Sequence, residues 1–317
     1  MADAVFKTVF AGPHASIQDG GRRGLMRFGV PASGPMDRKS FALANLALGK
    51  DADAAGIEIS MGGLVLDCVS GATTLAIAGG GFIVERDGKR LGSWSILPIR
   101  AGQKLTIRPG PWGSWTYLAF AGKLTATQWL GSAATHALSG FGGGKLTTGQ
   151  EIAITNAIQH SDAITAIACP IWARPRQHLH VVLGPQDRYF SAAALQALLT
   201  EPFYLTSAYD RMGLRLRGPS LAPDAALSIP SEAILRGSVQ VSGDGVPTVL
   251  LSDHQTTGGY PKIATILADD LDGFVQLRTN DAVAFKAITA PQAVQLARTR
   301  AAAIATVYAK ARDLAGR

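Results

Sequence analysis

Cysteine is almost absent: the 317 residues include two, Cys68 and Cys169. Each lies within or beside an apolar run, so a disulfide framework is excluded and reduced thiols of a cytoplasmic protein are the expectation. Charge is sparse as well, 17% of residues against 47% hydrophobic, which excludes a disordered chain. No apolar run reaches the roughly 18–20 residues that a membrane-spanning helix needs. The first residues lack the basic, apolar and small-residue succession of an export leader. Basic side chains outnumber acidic ones, 30 to 23, but they are scattered and not interleaved with aromatics. Such a surplus argues against nucleic-acid binding and suits small anions or an acidic partner protein. Also missing are HExxH, GxSxG, a zinc-type CxxC pair and a Rossmann fingerprint. The segment GFGGGKL (140–146) has the wrong glycine spacing for a phosphate loop, and Leu146 stands where a Ser or Thr is needed.

Glycine and proline are plentiful, 36 and 16, and spread along the chain. Short apolar runs recur between them at 56–60, 64–69, 73–78, 82–86, 94–99, 104–108 and 115–121, with Asp87-Gly88 as a hairpin signal. Strands every 8–12 residues with few helices predict a barrel or closed sandwich. Residues 156–177 lose the pattern and hold prolines, which places a boundary there. The second half restarts at HLHVVLG (178–184) and repeats the plan. His178 and His180 share a strand face, but no third metal ligand lies nearby in sequence, and no metal site is predicted. The tail reads as a helix with Val294, Ala297, Ala301, Ile304, Tyr308 and Ala311 on one face, packed on the barrel or on a partner.

Two polar stretches stand out. Ser16 to Asp37 is a glycine-rich loop that leads into a helix with Pro35 in its first turn, Asp37 at its positive end and Gly49 at its C-cap. Gln18, Asp19, Arg22 and Asp37 then surround a helix N-terminus suited to an anion or a carbonyl. The alternative is a packed loop closed by an Asp–Arg pair. Glu58 sits mid-strand, facing either solvent or a pocket. Asp253 to Lys262 (DHQTTGGYPK) follows a buried strand and carries a carboxylate, an imidazole, an amide, hydroxyls, a phenol and an ammonium. Gly258-Gly259 is expected to adopt φ > 0 and let a ligand approach the backbone. Arg211, in the turn SAYDRMGLRLRGP, is placed either to clamp a carboxylate or to sit in an exposed salt-bridged hairpin.

The chain resembles a known family at SIQDGGRRGLMRFGVPASGPMD (16–37), GPQD (184–187), DRMGLRLRGP (210–219), SVQVSGDGVPTVLL (238–251) and DHQTTGGYPKIA (253–264). That family is allophanate hydrolase subunit 2, or KipA-type, also called biotin-dependent carboxyltransferase. It includes the C subunit of 5-oxoprolinase and the urea amidolyase-related domains. The resemblance implies a mainly β fold of two tandem cyclophilin-like β-barrel domains, at 1–160 and 175–290, followed by a C-terminal helix at 291–317. It also implies a cleft between the domains that the 18–37 and 253–262 stretches face. The family's arginine is missing from Gly131-Ser132-Ala133-Ala134-Thr135, as is a Gly-Arg pair near Gly144-Lys145.

The activity implied is that of a 5-oxoprolinase-type component, acting on a small lactam or amide. It would work at the expense of ATP with a subunit-B-like (KipI-type) partner and a lactam-utilisation-type third protein. The absence of a fused biotin-carboxylase module favours this over carboxyl transfer from carboxybiotin to urea. A third reading is a regulatory protein that binds a kinase inhibitor. An amide is a poor electrophile and a poor nucleophile, so the site must polarise its carbonyl and handle its N–H proton. Lys262 and Arg22 are expected to stabilise charge on oxygen, while Asp37, Asp253 or Glu58 orients or takes the proton. Gln18, Asp19, Arg211, Gln255, Thr257, Gly258, Gly259 and Tyr260 are expected to bind the ligand.

Overall fold

A computed structural model describes residues 3–224 and 229–315. The chain divides into two compact units. Met1–Arg22, Ser33–Arg174 and Ile304–Arg317 make the first; Arg23–Ala32 and Pro175–Ala303 make the second.

The first unit is built on a ten-stranded sheet. Its main path runs Ser16–Gln18, Gly56–Ser60, Lys104–Phe120, Leu64–Arg86, Ala4–Ala11, Glu151–Thr155 and Lys123–Leu124. The runs read as separate strands at 64–69, 73–78 and 82–86 are one 23-residue strand, Leu64–Arg86. Glycine bends this strand without ending it. Gly71 and Gly79 have φ of 74 and 105, and the pairing with Lys104–Phe120 shifts register between Asp67 and Leu75 and again between Gly79 and Gly81. The bent strand therefore serves several partners, Ala4–Ala11 first and Ser95–Arg100 further on. Ile57, Ile59, Leu66, Leu75, Ile77 and Phe120 are among the side chains that fill the curl of the sheet. Asp87 and Gly88 both take φ > 0, 51 and 78, and turn the chain back into Lys89–Gly92.

The second unit is a closed barrel in the order His178–Leu183, Lys262–Ile266, Ser238–Val241, Pro247–Leu250, Gly213–Arg217, Phe203–Tyr209 and Ala282–Ala287. The first and last of these strands pair in parallel and close the circle. A separate two-stranded ribbon, Glu232–Ala233 with Thr257–Gly258, lies off the barrel. A curled half-barrel and a closed barrel in tandem make up the mainly β architecture expected from the strand spacing.

Four α-helices occur among the described residues: α1 (Arg38–Leu46), α2 (Ala192–Thr200), α3 (Ala268–Phe274) and α4 (Ala290–Arg312). None is long and apolar enough to cross a membrane. Two expectations about them need correction. α1 starts after Pro35, with Asp37 as its N-cap residue in extended conformation, and it ends with Ala47, not Gly49, at the C-cap. On α4 the predicted stripe holds only in its second half. Ile304, Tyr308 and Ala311 are covered, but Val294, Ala297 and Ala301 are exposed. Over those first turns the covered positions are Ala293, Leu296 and Arg300, each one place earlier than its predicted counterpart. An ion pair helps to set this line. Arg300 reaches Asp270 at 2.8 Å, and Asp270 is fully buried and also receives Arg176 at 3.2 Å and His180 at 2.8 Å. The same network accounts for His180, which binds a carboxylate, while His178 is exposed.

Candidate active site

In the first unit the strand Gly56–Ser60 explains Glu58. Ile57 and Ile59 turn into the core, so Glu58 points to the other face. That face is not solvent: Glu58 is fully buried. Its neighbour across the ladder is Tyr117, also fully buried. The Tyr117 hydroxyl accepts the Asp37 N–H at 2.6 Å and is hydrogen-bonded to Glu58, whose Oε2 accepts the Met36 N–H at 2.7 Å. Asp37 commits both carboxylate oxygens to Ser40, one to its N–H at 3.0 Å and one to its hydroxyl at 2.6 Å. The helix N-terminus expected to take a ligand is thus filled by the chain's own carboxylate.

Burial, together with the charges of Glu58 and Asp37, holds the Tyr117 phenol well above its ordinary value of 10.0. The folded state keeps this proton where the unfolded chain releases it, so stability falls as pH rises past about 10. Tyr117→Phe is expected to cost about 1–3 kcal/mol at neutral pH, because the Asp37 N–H and Glu58 lose a partner in a dry site. Urea unfolding of the variant at pH 8 and above 10 checks both parts: the cost, and a weaker alkaline slope than the parent's.

Gln18, Asp19 and Arg22 gather elsewhere, on the segment 129–135. Asp19 accepts the Ser132 hydroxyl at 2.5 Å, the Ala133 N–H at 2.6 Å and the Gly21 N–H at 2.9 Å. Arg22 is 2% exposed. It donates to the carbonyls of Trp129, at 2.9 Å, and of Ser132 and Ala134, and lies 4.8 Å over the Trp129 ring. Gln18 donates to Ser16 and to the Thr135 carbonyl, while its buried Oε1 has no partner among the described residues. The segment that lacks the family's arginine is therefore pinned by Arg22 reaching in from another loop. No Asp19–Arg22 pair closes the loop; both hold a third segment.

In the second unit the hairpin reading of Arg211 fails on burial. Arg211 meets Asp253 two-pronged, Nε to Oδ2 at 2.9 Å and a second nitrogen to Oδ1 at 3.0 Å, with the side chains 1% and 0% exposed. Lys262 is 4% exposed and its ammonium lies 3.3 Å from Oε2 of Glu232, which is 49% exposed. Gln186 bridges the two: its amide nitrogen donates to Glu232 at 2.5 Å and its Oε1 accepts the Lys262 N–H at 3.0 Å. Gln240 is the ladder partner of Lys262, and its buried Nε2 has no hydrogen-bond partner among the described residues. Gly258 and Gly259 do not take φ > 0. Gly258 instead leaves room for the Gln240 amide, whose Nε2 would lie 2.6 Å from a Cβ there and would have to shift. His254 is buried, and burial lowers its pKa; its Nδ1 donates to the Gln255 carbonyl at 2.5 Å, which leaves Nε2 as the basic nitrogen. Gln255 and Tyr260 are exposed, Tyr260 at 49%, and Thr257 is exposed on the ribbon.

Tyr117, Gln186, Glu232, Gln240 and His254 are the functional candidates that sequence reasoning missed. Gln186, Gln240 and His254 lie inside the motifs quoted above. Tyr117 and Glu232 carried no local signal, because each owes its position to a strand partner distant in sequence.

A family model described as "Carboxyltransferase domain, subdomain A and B" matches residues 28–287. The C subunit of 5-oxoprolinase from Escherichia coli (strain K12) is 32% identical over 284 residues, 89% of this chain and 90% of that protein. Urea amidolyase of Saccharomyces cerevisiae is 27% identical over 300 residues, but the chain covers only 16% of that protein. Among solved structures, that of TTHA0988 superposes with a TM-score of 0.80 at 31% identity, over 89% of this chain and 55% of that one.

Proposed function

The chain belongs to the carboxyltransferase-domain family, subdomains A and B, and from that premise we propose that it is the C-type component of an ATP-dependent 5-oxoprolinase-type complex. The match to the 5-oxoprolinase C subunit along 90% of that protein's length, at higher identity than to urea amidolyase, carries this reading. The partners are a subunit-B-like protein and a lactam-utilisation-type third protein, in the cytoplasm.

The residues around Lys262 fit amide chemistry. A desolvated ammonium aimed at a carbonyl oxygen stabilises the negative charge that develops there as the amide reacts. Glu232 holds that ammonium through Oε2, and its second oxygen takes the substrate N–H proton. Glu232 replaces Asp37 and Asp253 in that role, since their oxygens are engaged by Ser40 and Arg211. Gln240 and Tyr260 supply hydrogen bonds. In the first unit Gln18 keeps an unpartnered buried oxygen for a ligand, and Arg22 shapes the 129–135 segment. ATP is not assigned to this chain's glycine-rich segment, because its amides are committed: Gly143 N–H to the Ala133 carbonyl, Gly144 N–H to Thr135 and Leu146 N–H to the Ala15 carbonyl. The nucleotide's step is left to the assembled complex.

The second reading, carboxyl transfer from carboxybiotin to urea or a urea-like amide, is favoured by the family's description and the urea amidolyase match. The same Lys262 would there steady the carboxyl group. The test is co-expression with the neighbouring subunit genes, followed by assays of ATP-dependent glutamate release from 5-oxoproline and of carboxybiotin consumption with urea. Lactam turnover is expected. Carboxybiotin consumption instead would move the chain to the second reading, and tight partner binding with neither activity would make it a regulatory KipA-type protein.

A further inference from the structure

The first unit holds a cavity of about 880 Å³ that the reading above does not use. It lies beyond the C-terminal end of α1, and Lys50, Lys123 and His160 supply its positive and titratable lining. Leu48, Ala54, Leu124 and Ile158 give it apolar wall. A cavity of this size holds a small organic molecule.

Lys50 is the unusual group. It is half-buried, and among the described residues it has no ion-pair or hydrogen-bond partner for its ammonium. Burial alone lowers its pKa to about 8, although a lysine just past a helix C-terminus has the dipole in its favour. Two carboxylates also line the cavity, and neither pairs with Lys50. Asp19 is committed to Ser132, Ala133 and Gly21. The Asp53 carboxyl lies against Gly20, where a Cβ would stand 2.3 Å from its Cγ. Lys123 and His160 are exposed, whereas Lys50 is half-buried and only partly hydrated. A partly desolvated cation with no counter-charge among the described residues is costly, and an arriving anion relieves that cost.

The geometry points to this cavity as an anion-binding site, which takes the carboxylate or phosphate of a small organic molecule against Lys50, with Lys123 and His160 at its mouth. The consequence is linkage: the anion raises the Lys50 pKa, so binding takes up a proton and weakens as pH rises past about 8. The site stands whether or not the chain acts on a lactam.

Titration calorimetry of the full chain with ATP, inorganic phosphate and 5-oxoproline, each at pH 8.0 in two buffers of different ionisation enthalpy, tests it. At least one probe is expected to bind with uptake of about half a proton at pH 8 that is assignable to Lys50. Which probe binds separates a nucleotide, free phosphate and a carboxylate as the source. Lys50→Met is expected to weaken that binding about tenfold or more and to abolish the uptake. Lys50→Arg, which cannot give up its proton, is expected to keep the affinity and lose the uptake. Binding by none of the three probes, or affinity and uptake unchanged in Lys50→Met, overturns the assignment. A 5-oxoproline signal that survives Lys50→Met belongs to the Lys262 site instead.

Discussion

Replacing Arg211 with methionine is expected to destabilise the second unit by about 3–5 kcal/mol, enough to leave much of the protein unfolded or insoluble. The guanidinium is the two-pronged partner of Asp253, and both side chains are sealed from water. Methionine fills most of the volume but leaves a carboxylate in a dry site. That carboxylate must then either stay charged at great cost or take up a proton. The pair also ties two segments that sequence keeps apart, since the Asp253 N–H donates to the Arg211 carbonyl at 2.8 Å. The control is the double variant Arg211→Met with Asp253→Leu, which removes both charges and should recover most of the loss. Urea unfolding of the three proteins decides the matter. A single-variant loss below about 1 kcal/mol would show that water reaches the pair.

The second large effect is on activity. Lys262→Met is expected to lower turnover by the reconstituted complex by about 100–1,000-fold or more, the scale for deleting one donor to a developing oxyanion. Stability should change little, within about 1 kcal/mol, because methionine keeps the apolar stem packed and Glu232, half in solvent, rehydrates. Turnover and unfolding midpoint measured on the same preparation separate the two. Normal turnover in a folded variant removes Lys262 from the chemistry, and lost turnover with a collapsed midpoint makes it structural.

The fold class was legible because strand spacing and turn glycines are local signals, and Asp87-Gly88 took the conformation its residue types demand. Strand continuity was not, because a glycine that bends a strand looks the same in sequence as one that ends it. Gly71 and Gly79 bend Leu64–Arg86 because neighbouring strands keep pairing across them. The candidate site was visible in sequence as a set of polar stretches, but not the contacts that occupy each residue. Asp37, Asp253 and Arg22 look alike as free functional groups on a page. Only the folded contacts reveal that each already has work: the local cap on Ser40 for Asp37, and the distant Arg211 and carbonyls of 129–134 for Asp253 and Arg22. Conversely, Lys50 sits in an ordinary helix-to-loop junction, and its lack of a carboxylate partner among the described residues is invisible until the chain is folded. The first turns of α4 were misplaced by one position because Val294 with two alanines competes evenly with Leu296 on a hydrophobic pattern. What decides between them is the buried aspartate that draws in Arg300, a contact no periodicity records.

The parallel contact between His178–Leu183 and Ala282–Ala287 is the clasp of the second barrel. A clasp made by the two ends of a continuous stretch means that shortening this stretch from either side is not graded. Trimming α4 back as far as Arg300 keeps the Asp270 pair and leaves the ring of strands whole, whereas cutting into Ala282–Ala287 unfastens the ring and exposes two raw edges at once. Serial truncation should therefore show a step in solubility at that strand, with the shortest soluble products ending beyond it.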